Sequence, residues 1–251
     1  GYQREQLIIR GHDLLPEERE EQFVNLLETR KSGKSLSYIT RRKEFYGLEF
    51  YVDERCLIPR PETELLVELA LKAAQEFSEP RILDIGTGSG AIAIALAKEL
   101  PHARITAVDI SEKALEVAQM NAEKHGVKGR IQFLQSDLLE KVGDYDGEII
   151  VSNLPYIGRE KFAFVEKEVL ENEPEVALFG GSDGLELYQR LFGQVVKIRK
   201  NGGFVPLTRL IGEFGFLQRE TLTQILNKFF VQYEFFQDLA GIDRAFMVTF
   251  N

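Results

Sequence analysis

The sequence predicts an α/β fold with a doubly wound, mostly parallel sheet, and three observations lead to this prediction. Short apolar runs alternate with helical patterns through the middle of the chain. The first of these runs ends in a glycine-rich turn at residues 86–90. The 251 residues, 44% of them hydrophobic, are enough for one large α/β domain with a smaller appendage. Such sheets bind ligands at the carboxyl ends of their strands, so we expect the functional residues there.

The N-terminal region, residues 1–44, is predicted to form a small helical subdomain. Residues 16–30 fit one amphipathic helix, with apolar side chains on one face and glutamates on the other. Residues 6–9 fit the end of another helix, so we expect the chain to begin partway through a truncated helical subdomain. Basic residues gather at residues 30–43. This patch fits either a solvated loop or an electrostatic contact with a ribosomal or nucleic-acid-associated partner.

Residues 45–58 are predicted to form a β-hairpin linker, because Gly47 interrupts an apolar and aromatic run. The main domain then spans residues 59–251. It begins with two prolines, which fix an extended approach to the following helix. Arg60 and Glu62 lie in this rigid segment and are candidates for lining a substrate pocket. A purely structural linker is the alternative.

The glycine-rich turn is the first candidate ligand site, because it joins a predicted strand to an alanine-rich predicted helix. Alternate glycines let the backbone bend sharply and approach a ligand, and the first helical turn offers unpaired N–H groups. The Gly-x-Gly-x-Gly spacing differs from the Gly-x-Gly-x-x-Gly of dinucleotide folds, and an ordinary turn is the alternative interpretation. The candidate cofactor-binding residues in this region are Asp84, Gly86, Thr87, Gly88, Ser89 and Gly90.

Aspartates follow the next two predicted strands. Asp109 ends the second strand where a ribose-binding acid is expected, and Ile110 is the next candidate contact with the cofactor. Asp137 and Leu138 lie just beyond the third strand, in a position to contact a base edge. Asp109 as a helix cap and Asp137 as a turn former are the alternatives.

The fourth predicted strand, residues 148–151, leads into Asn153, Leu154, Pro155 and Tyr156, which are the candidate catalytic residues. The amide oxygen of Asn153 and the carbonyl of Leu154, whose direction Pro155 constrains, can accept the two hydrogens of a planar NH₂ group. Tyr156 can stack on the π face of that group, which leaves the nitrogen lone pair directed at an electrophile. An ordinary strand-ending turn is the alternative.

Composition narrows the classes of function. The formal net charge of −9 counts against a broad phosphate-binding surface, so a nucleic-acid substrate is not expected. The single cysteine, Cys56, excludes an internal disulfide, and three scattered histidines form no ligand cluster, so no metal is expected. The sequence has neither a signal peptide nor an apolar run of membrane length. The predicted compartment is therefore the cytoplasm, and no membrane partner is expected.

Together these motifs resemble those of S-adenosylmethionine-dependent methyltransferases, and specifically the HemK-type family, which methylates a glutamine side-chain nitrogen in peptide-chain release factors. The similarity extends over nearly the whole chain, residues 36–250. The segments that resemble the cofactor loop, ribose acid, adenine-side turn and catalytic tetrad are residues 84–90, Asp109, residues 136–138 and residues 153–156. Segments that generic methyltransferases do not share are residues 57–64, 173–185 and 238–244.

The resemblance implies a seven-stranded, Rossmann-like methyltransferase sheet, with S-adenosylmethionine as cofactor and S-adenosylhomocysteine as product. It implies methyl transfer to N5 of the glutamine in the Gly-Gly-Gln motif of class I release factors. It also implies that the N-terminal helices grip the release factor, and a monomer is expected. The candidate substrate-binding residues are Arg60, Glu62, Asn153, Pro155 and Tyr156.

The sequence departs from the family pattern in two places. Leu154 replaces a proline that is usual in the tetrad, as in adenine dimethyltransferases acting on ribosomal RNA. Because the Leu154 carbonyl is the group used, activity is expected to survive. The second departure is residues 204–212, where the pattern implies an unbroken interior strand ending in Glu-Ile-Gly. Since proline is poorly tolerated inside a sheet, either this strand is short and bulged at Pro206 or the segment is locally disordered.

Two other functions stay open on the sequence alone. An adenine-N6 methyltransferase acting on RNA or DNA meets the same geometric demand, because it also methylates a planar NH₂ group. A non-catalytic cofactor-binding scaffold is the second alternative, and the intact tetrad counts against it.

Overall fold

The computed structural model describes residues 4–14, 16–143, 145–160, 165–203 and 206–250. Its N-terminal part contains α1 (Arg4–Ile9), α2 (Glu17–Lys31), α3 (Leu36–Thr40), β1 (Lys43–Phe45) and β2 (Leu48–Phe50). β1 and β2 pair antiparallel about a turn in which Gly47 has a φ of +68°. The predicted N-terminal helices and hairpin are therefore confirmed as elements, whereas the three domain boundaries stay predictions.

The rest of the chain alternates strands and helices, as the sequence predicts. In chain order the elements are α4 (Glu64–Ala74), β3 (Arg81–Ile85), α5 (Ala91–Glu99), β4 (Arg104–Asp109), α6 (Glu112–Lys124), β5 (Ile131–Gln135), β6 (Ile149–Ser152), α7 (Lys167–Asn172), α8 (Glu175–Leu178), α9 (Glu186–Lys200), β7 (Arg209–Glu213), α10 (Arg219–Phe229), β8 (Tyr233–Gln237) and β9 (Asp243–Thr249). No helix in these described ranges is both long enough and apolar enough to cross a bilayer.

Within the described residues, the main sheet has seven strands in the order β5-β4-β3-β6-β7-β9-β8. β9 runs antiparallel to β7 and β8, and the other neighbouring pairs are parallel. The chain therefore moves outward from β3 to β5 and then returns to β6 on the other side of β3. This reversal confirms the doubly wound, mostly parallel α/β sheet, and it creates a crevice where β3, β4 and β6 end.

Two apolar cores cover the opposite faces of the sheet, because successive side chains of a strand point to opposite sides. In β3, Ile82 belongs to the core that includes residues of α4, α5 and α6. Leu83 and Ile85 belong to the core that includes residues of α9 and α10. β3 is thus covered on both faces, which fixes the position of the loop that follows it.

α2 has the predicted extent but buries none of its residues. Its apolar residues Phe23, Leu26 and Leu27 are 52%, 48% and 41% exposed. The predicted helix is therefore present, but none of its faces is buried by the described part of the chain, so its amphipathic packing stays a prediction.

The basic residues around the end of α2 are paired with acidic side chains of the same chain. Arg30 Nη1 lies 2.6 Å from Glu168 Oε2, and both Lys34 and Arg41 pair with Glu54. Exposed pairs of this kind contribute little to stability, but they reduce the positive charge available to a polyanionic partner. This arrangement favours the solvated interpretation of the patch.

Around Pro206 the structure agrees with the short strand of the first alternative but not with its bulge. Pro206 lies in the turn before β7, and β7 pairs with β6 and β9 in continuous register from Arg209 to its end. The strand is short, but the predicted bulge at Pro206 is wrong, because the proline precedes the ladder and no strand hydrogen bond needs its nitrogen. Phe204 and Val205 lie outside the described residues. β7 also ends at Glu213, one residue beyond the predicted departure.

Candidate active site

Three strand ends bring most of the predicted ligand-binding residues together. β3 lies between β4 and β6, with Ile85 opposite Val108 of β4 and Ser152 of β6. The glycine turn follows β3, Asp109 ends β4, and Asn153 follows β6, so all three meet at one edge of the sheet. The cavity there, which we call the first cavity, has a volume of about 520 Å³. Its lining includes Gly86, Gly88, Asp109, Ile110, Asn153, Leu154 and Pro155.

Gly86 and Gly88 contribute backbone to the first cavity. Their φ angles are +75° and +56°, which residues with a Cβ rarely adopt. A Cβ on Gly86 would lie 3.3 Å from Leu154 Cδ2, whereas one on Gly88 would meet no described atom within 4 Å. Glycine at position 86 therefore leaves room between the turn and the Asn153 segment.

Ser89 and Gly90 hold the glycine turn in place and are not among the residues that line the first cavity. The Ser89 carbonyl accepts a hydrogen bond from Asn121 Nδ2 of α6 at 2.9 Å. A Cβ on Gly90 would lie 3.1 Å from Ala118 Cβ, so glycine at this position allows the start of α5 to approach α6. The structure thus gives these two predicted cofactor-binding residues a supporting position.

Asp84 is fully buried directly before the turn. Its Oδ2 accepts hydrogen bonds from Thr87 Oγ1 at 2.6 Å and from the Ala93 amide at 3.2 Å. Its Oδ1 has no hydrogen-bond partner among the described residues. Burial raises the pKa of Asp84 to about 7, against the opposing effect of the two donors. A buried acceptor without a donor fits a ligand that carries a hydrogen-bond donor or a positive charge.

Asp109 joins the glycine turn to the start of α6. Its Oδ2 accepts a hydrogen bond from the Gly88 amide at 2.9 Å, and its Oδ1 accepts one from the Ser111 amide at 2.9 Å. Burial raises its pKa, although both amides favour the charged form. Each carboxylate oxygen can accept more than one hydrogen bond, so Asp109 keeps capacity for the hydroxyls of a ligand. Ile110, which is 50% exposed, lies beside it in the cavity wall.

Asp137 and Leu138 are not among the residues that line the first cavity. Asp137 Oδ2 accepts a hydrogen bond from Arg190 Nη2 at 2.8 Å. Leu138 has a φ of +50° and is buried in the core that includes α9 and α10. Ser136 Oγ donates to the Leu138 carbonyl at 2.9 Å and stabilises this turn. The structure therefore does not bring these two residues together with Asp109 and the glycine turn in one cavity.

A second cavity of about 350 Å³ meets the first at the segment that follows β6. Residues that line both cavities are Leu57, Asn153, Leu154, Pro155 and Ala177. Arg60 and Tyr156 line the second cavity and not the first. Two molecules that entered from the two cavities would therefore meet at Asn153, Leu154 and Pro155.

Arg60 forms an ion pair with Glu173, whose side chain is only 2% exposed. Glu173 Oε2 also accepts a hydrogen bond from the Ile58 amide at 3.1 Å, so it ties the segment before α4 to the segment between α7 and α8. Arg60 thereby reaches the second cavity, as predicted for a substrate contact. Glu62 is exposed and lines a separate groove beside the β8–β9 turn, away from Asn153.

Thr63 and Glu213 also belong to the site, and the sequence analysis missed both. Thr63 Oγ1 accepts a hydrogen bond from Asn153 Nδ2 at 2.9 Å and donates one to Glu213 Oε2 at 2.7 Å. Tyr156 Oη donates to Glu213 Oε1 at 3.1 Å. Burial raises the pKa of Glu213 to about 7, and burial also raises the pKa of Tyr156.

One sequence signal could have identified Glu213. It is a carboxylate at the carboxyl end of the strand that follows the Asn153 strand in the sheet, which is where ligand sites of this architecture lie. The segment that departs from the family pattern stops at Gly212, one residue before this carboxylate. Thr63 carries no comparable signal, because nothing in its local sequence separates it from an ordinary helix start.

The site can hold a planar NH₂ group between two acceptors. Because Asn153 Nδ2 donates to Thr63, Asn153 Oδ1 is the atom available to accept a hydrogen bond from a ligand. The Leu154 carbonyl, in the same segment, is the predicted second acceptor. Across the described ranges, no group of three or more His, Cys, Asp or Glu side chains has the arrangement of a metal site. Two acceptors that hold an NH₂ group suit the transfer of a carbon group to a neutral nitrogen.

Comparison with known proteins identifies relatives of this chain. The family profile of the methyltransferase small domain matches residues 61–182. The release factor glutamine methyltransferase of Dictyoglomus turgidum is 40% identical over 243 residues, which cover 95% of this chain and 84% of that protein. The release factor glutamine methyltransferase of Streptococcus pneumoniae is 42% identical over 213 residues, which cover 84% of this chain and 73% of that protein.

Among solved structures, the N-terminal domain of human METTL16 in complex with SAH is similar with a TM-score of 0.58. The match covers 82% of this chain and 77% of that domain at 16% sequence identity, so it concerns the fold. The seven-stranded sheet, together with the matching family profile and relatives, identifies a class I, Rossmann-like methyltransferase. The chain belongs to the release factor glutamine methyltransferase family, and the predicted family is confirmed.

Proposed function

We propose that this enzyme transfers a methyl group from S-adenosylmethionine to N5 of the glutamine in the Gly-Gly-Gln motif of class I peptide-chain release factors. The observation that carries the proposal is the junction of the two cavities at the Asn153 segment. A methyl donor in the first cavity and a glutamine side chain in the second would have their reacting atoms adjacent there. The names of the curated relatives supply the substrate class.

The first cavity fits S-adenosylmethionine in its chemistry. Asp84 does not line the cavity, but its unpartnered Oδ1 lies directly before the glycine turn and suits a donor or positive charge there, and the cofactor carries both. Asp109 suits ribose hydroxyls, and the bare backbone of Gly86 and Gly88 suits a flat ligand held close to the chain. Ile110 offers apolar surface to an adenine ring. Asp137 and Leu138 lie outside the lining of the first cavity, and their contact with the cofactor stays a prediction.

When bound, the cofactor would supply an electrophilic methyl group. The amide nitrogen would form a bond to the methyl carbon as the carbon–sulfur bond breaks and sulfur keeps the electron pair, and the nitrogen would then release one proton to water. An amide nitrogen is a poor nucleophile, so the residues of this chain contribute through position and charge stabilisation. Asn153 Oδ1 and the Leu154 carbonyl accept the two N–H groups and stabilise the positive charge that develops on them. Pro155 constrains the direction of that carbonyl, and Tyr156 forms a wall of the second cavity.

The N-terminal region, residues 1–44, is the proposed contact with the body of the release factor. The exposed apolar side chains of α2 support this assignment, because they offer apolar surface that the described chain does not use. A monomer is part of this proposal. Release factor as substrate implies a cytoplasmic enzyme. The net charge of −9 argues against RNA or DNA as the substrate.

Mass spectrometry of a purified class I release factor, incubated with the enzyme and S-adenosylmethionine, tests the proposal. We expect a gain of one methyl group on the glutamine of the Gly-Gly-Gln motif. A release factor with this glutamine replaced by alanine is the matched substrate control and should gain none. Calorimetric titration with S-adenosylmethionine accompanies the assay. Cofactor binding without methylation of the release factor would overturn the proposed substrate and not the cofactor.

A further inference from the structure

A chain of hydrogen bonds runs behind the catalytic segment. It begins at Asn153 Nδ2, passes through Thr63 Oγ1 at 2.9 Å, and reaches Glu213 Oε2 at 2.7 Å. Tyr156 Oη holds the other oxygen of Glu213 at 3.1 Å. Thr63 is 5% exposed and Glu213 is 1% exposed, so water does not compete for these bonds. The chain connects the start of α4, the loop after β6 and the end of β7.

The direction of these bonds decides which end of the Asn153 amide meets the substrate. A hydroxyl has one hydrogen, and an ionised carboxylate can only accept. Thr63 therefore gives its hydrogen to Glu213 and offers only its lone pairs to Asn153. A lone pair attracts the amide nitrogen, Nδ2, and repels the amide oxygen. The carboxylate thus fixes the orientation in which Asn153 Oδ1 remains available as an acceptor.

We propose that Thr63 and Glu213 are positioning residues for methyl transfer, which keep the Asn153 amide oxygen directed at the incoming glutamine NH₂ group. This inference rests on the proposed function, because only an NH₂ substrate needs an acceptor at this point. If the amide rotated by half a turn, Asn153 would present two N–H donors to a donor group, and the substrate nitrogen would lose one of its two acceptors.

The burial of Glu213 supports this role. A carboxylate buried without a full counter-charge is costly, and an apolar side chain of similar volume at such a position is often more stabilising. The positive charge of Arg244 in β9 acts on Glu213, but Arg244 is already paired with Asp238 at 3.4 Å. A purely structural requirement at the end of β7 would not call for a carboxylate.

The inference also predicts a dependence on pH. The groups that face the Glu213 carboxyl are Thr63, Tyr156, Arg244 and Glu62, and the hydroxyl of Tyr188 donates to the main-chain carbonyl of Glu213. Burial, with a smaller contribution from Glu62, raises the pKa of Glu213 to about 7 against the lowering effect of Thr63, Tyr156 and Arg244. When Glu213 takes up a proton it can donate to Thr63. The Thr63 hydrogen can then turn to Asn153 Oδ1, which removes the preference for the productive orientation.

Variants at position 63 test the inference. Thr63→Val keeps the shape but removes the hydroxyl, and we expect kcat to fall about 10- to 100-fold while the KM for S-adenosylmethionine changes little. Thr63→Ser restores the hydroxyl and should recover most of the lost kcat. Thermal unfolding of both variants shows whether they fold. A folded Thr63→Val variant with the kcat of the unmodified enzyme would overturn the inference.

Glu213→Gln provides a second test. Its readout, the pH dependence of kcat, would not change if the role of Glu213 were merely structural. Glutamine can still accept from Thr63 but does not titrate. The unmodified enzyme should lose kcat as pH falls through about 7, whereas Glu213→Gln should show no such limb. An identical acid limb in both proteins would contradict the role of Glu213.

A measurement that needs no turnover distinguishes failure of this inference from failure of the proposed function. The side-chain NH₂ protons of Asn153, assigned by NMR through their loss in Asn153→Asp, should exchange slowly with solvent in the unmodified enzyme and faster in Thr63→Val. Slow exchange together with no methylation of a release factor would reject the proposed substrate and keep the positioning chain. Equally fast exchange in both proteins would reject the positioning chain itself.

Discussion

Asp109 Oδ2 accepts a hydrogen bond from the backbone amide of Gly88 at 2.9 Å. This bond connects the end of β4 to the middle of the turn that follows β3, so the same carboxylate shapes the glycine turn and lines the first cavity. A change at Asp109 therefore acts on the cofactor site in two ways, through the loss of an acceptor and through the loss of the turn geometry.

Asp109→Asn should weaken binding of S-adenosylmethionine by about 10- to 100-fold, because a hydrogen bond to a charged group contributes roughly 1.5 to 3 kcal/mol. We expect the KM for S-adenosylmethionine to rise and the calorimetric affinity to fall, while kcat at saturating cofactor changes less. Asp146→Asn is the matched control, since the Asp146 side chain is 70% exposed and does not line the first cavity. Equal cofactor affinity in Asp109→Asn and the unmodified enzyme would contradict the assignment of Asp109.

Gly86→Ala should also weaken cofactor binding, by about tenfold, for a steric reason. Alanine at a φ of +75° is strained by roughly 1 to 2 kcal/mol, and its Cβ would approach Leu154 Cδ2 to 3.3 Å. Relief of that contact moves either the turn or the catalytic segment. Calorimetric titration with S-adenosylmethionine measures the effect. Gly129→Ala is the control, because Gly129 is exposed and its Cβ would meet nothing within 4 Å. A similar loss of affinity in this control would show that the effect of Gly86→Ala is not specific to the glycine turn.

The sequence predicted the sheet well because the information is local. Each strand is a short apolar run, and the glycine turn and Asp109 sit directly at strand ends, where the order of strands brings them together. Asp137 occupies a similar place after β5, yet the cavity does not include it. Its position depends on Arg190 of α9, a contact between segments that no local pattern encodes.

The contacts behind the catalytic segment were not predictable for the same reason. Thr63 and Glu213 are 150 residues apart in the chain and meet only because α4 begins beside the end of β7. A single threonine at a helix start resembles many others. Pro206 drew attention because proline is a strong local signal, but it lies in a turn where it disturbs no ladder hydrogen bond.

Asn153→Ala should reduce kcat by about a hundredfold or more, since removal of one preorganised hydrogen-bonding group at a reacting centre costs this much in well-studied sites. Cofactor affinity should change little, because the glycine turn and Asp109 stay intact. Intact-mass measurement of the release factor over time gives kcat. Asn201→Ala, at the exposed end of α9, is the control for asparagine replacement. Unchanged turnover in Asn153→Ala would show that Asn153 does not hold the methylated nitrogen.

The stability of the protein should fall as pH rises between about 4 and 7, and Asp84 should account for part of this fall. Burial raises the pKa of Asp84 from 3.8 to about 7, so over this range the folded state holds a proton that the unfolded state has released. The free energy of unfolding therefore decreases as pH increases, and the penalty is complete above pH 7. With 1.36 kcal/mol for each pKa unit, the decrease attributable to Asp84 is on the order of 4 kcal/mol.

Asp84→Asn does not titrate and should flatten this dependence, although Glu213 will leave a residual slope of the same sign because burial also raises its pKa to about 7. Urea unfolding at pH 5 and pH 8 gives the two free energies for each protein. Glu220→Gln, which replaces an exposed carboxylate in the first turn of α10, should leave the difference between the two pH values as it is in the unmodified enzyme. If Asp84→Asn retained the full difference, Asp84 would be ionised at both pH values. The unpartnered Oδ1 would then carry charge without a ligand, and the argument for its role in cofactor binding would lose its electrostatic basis.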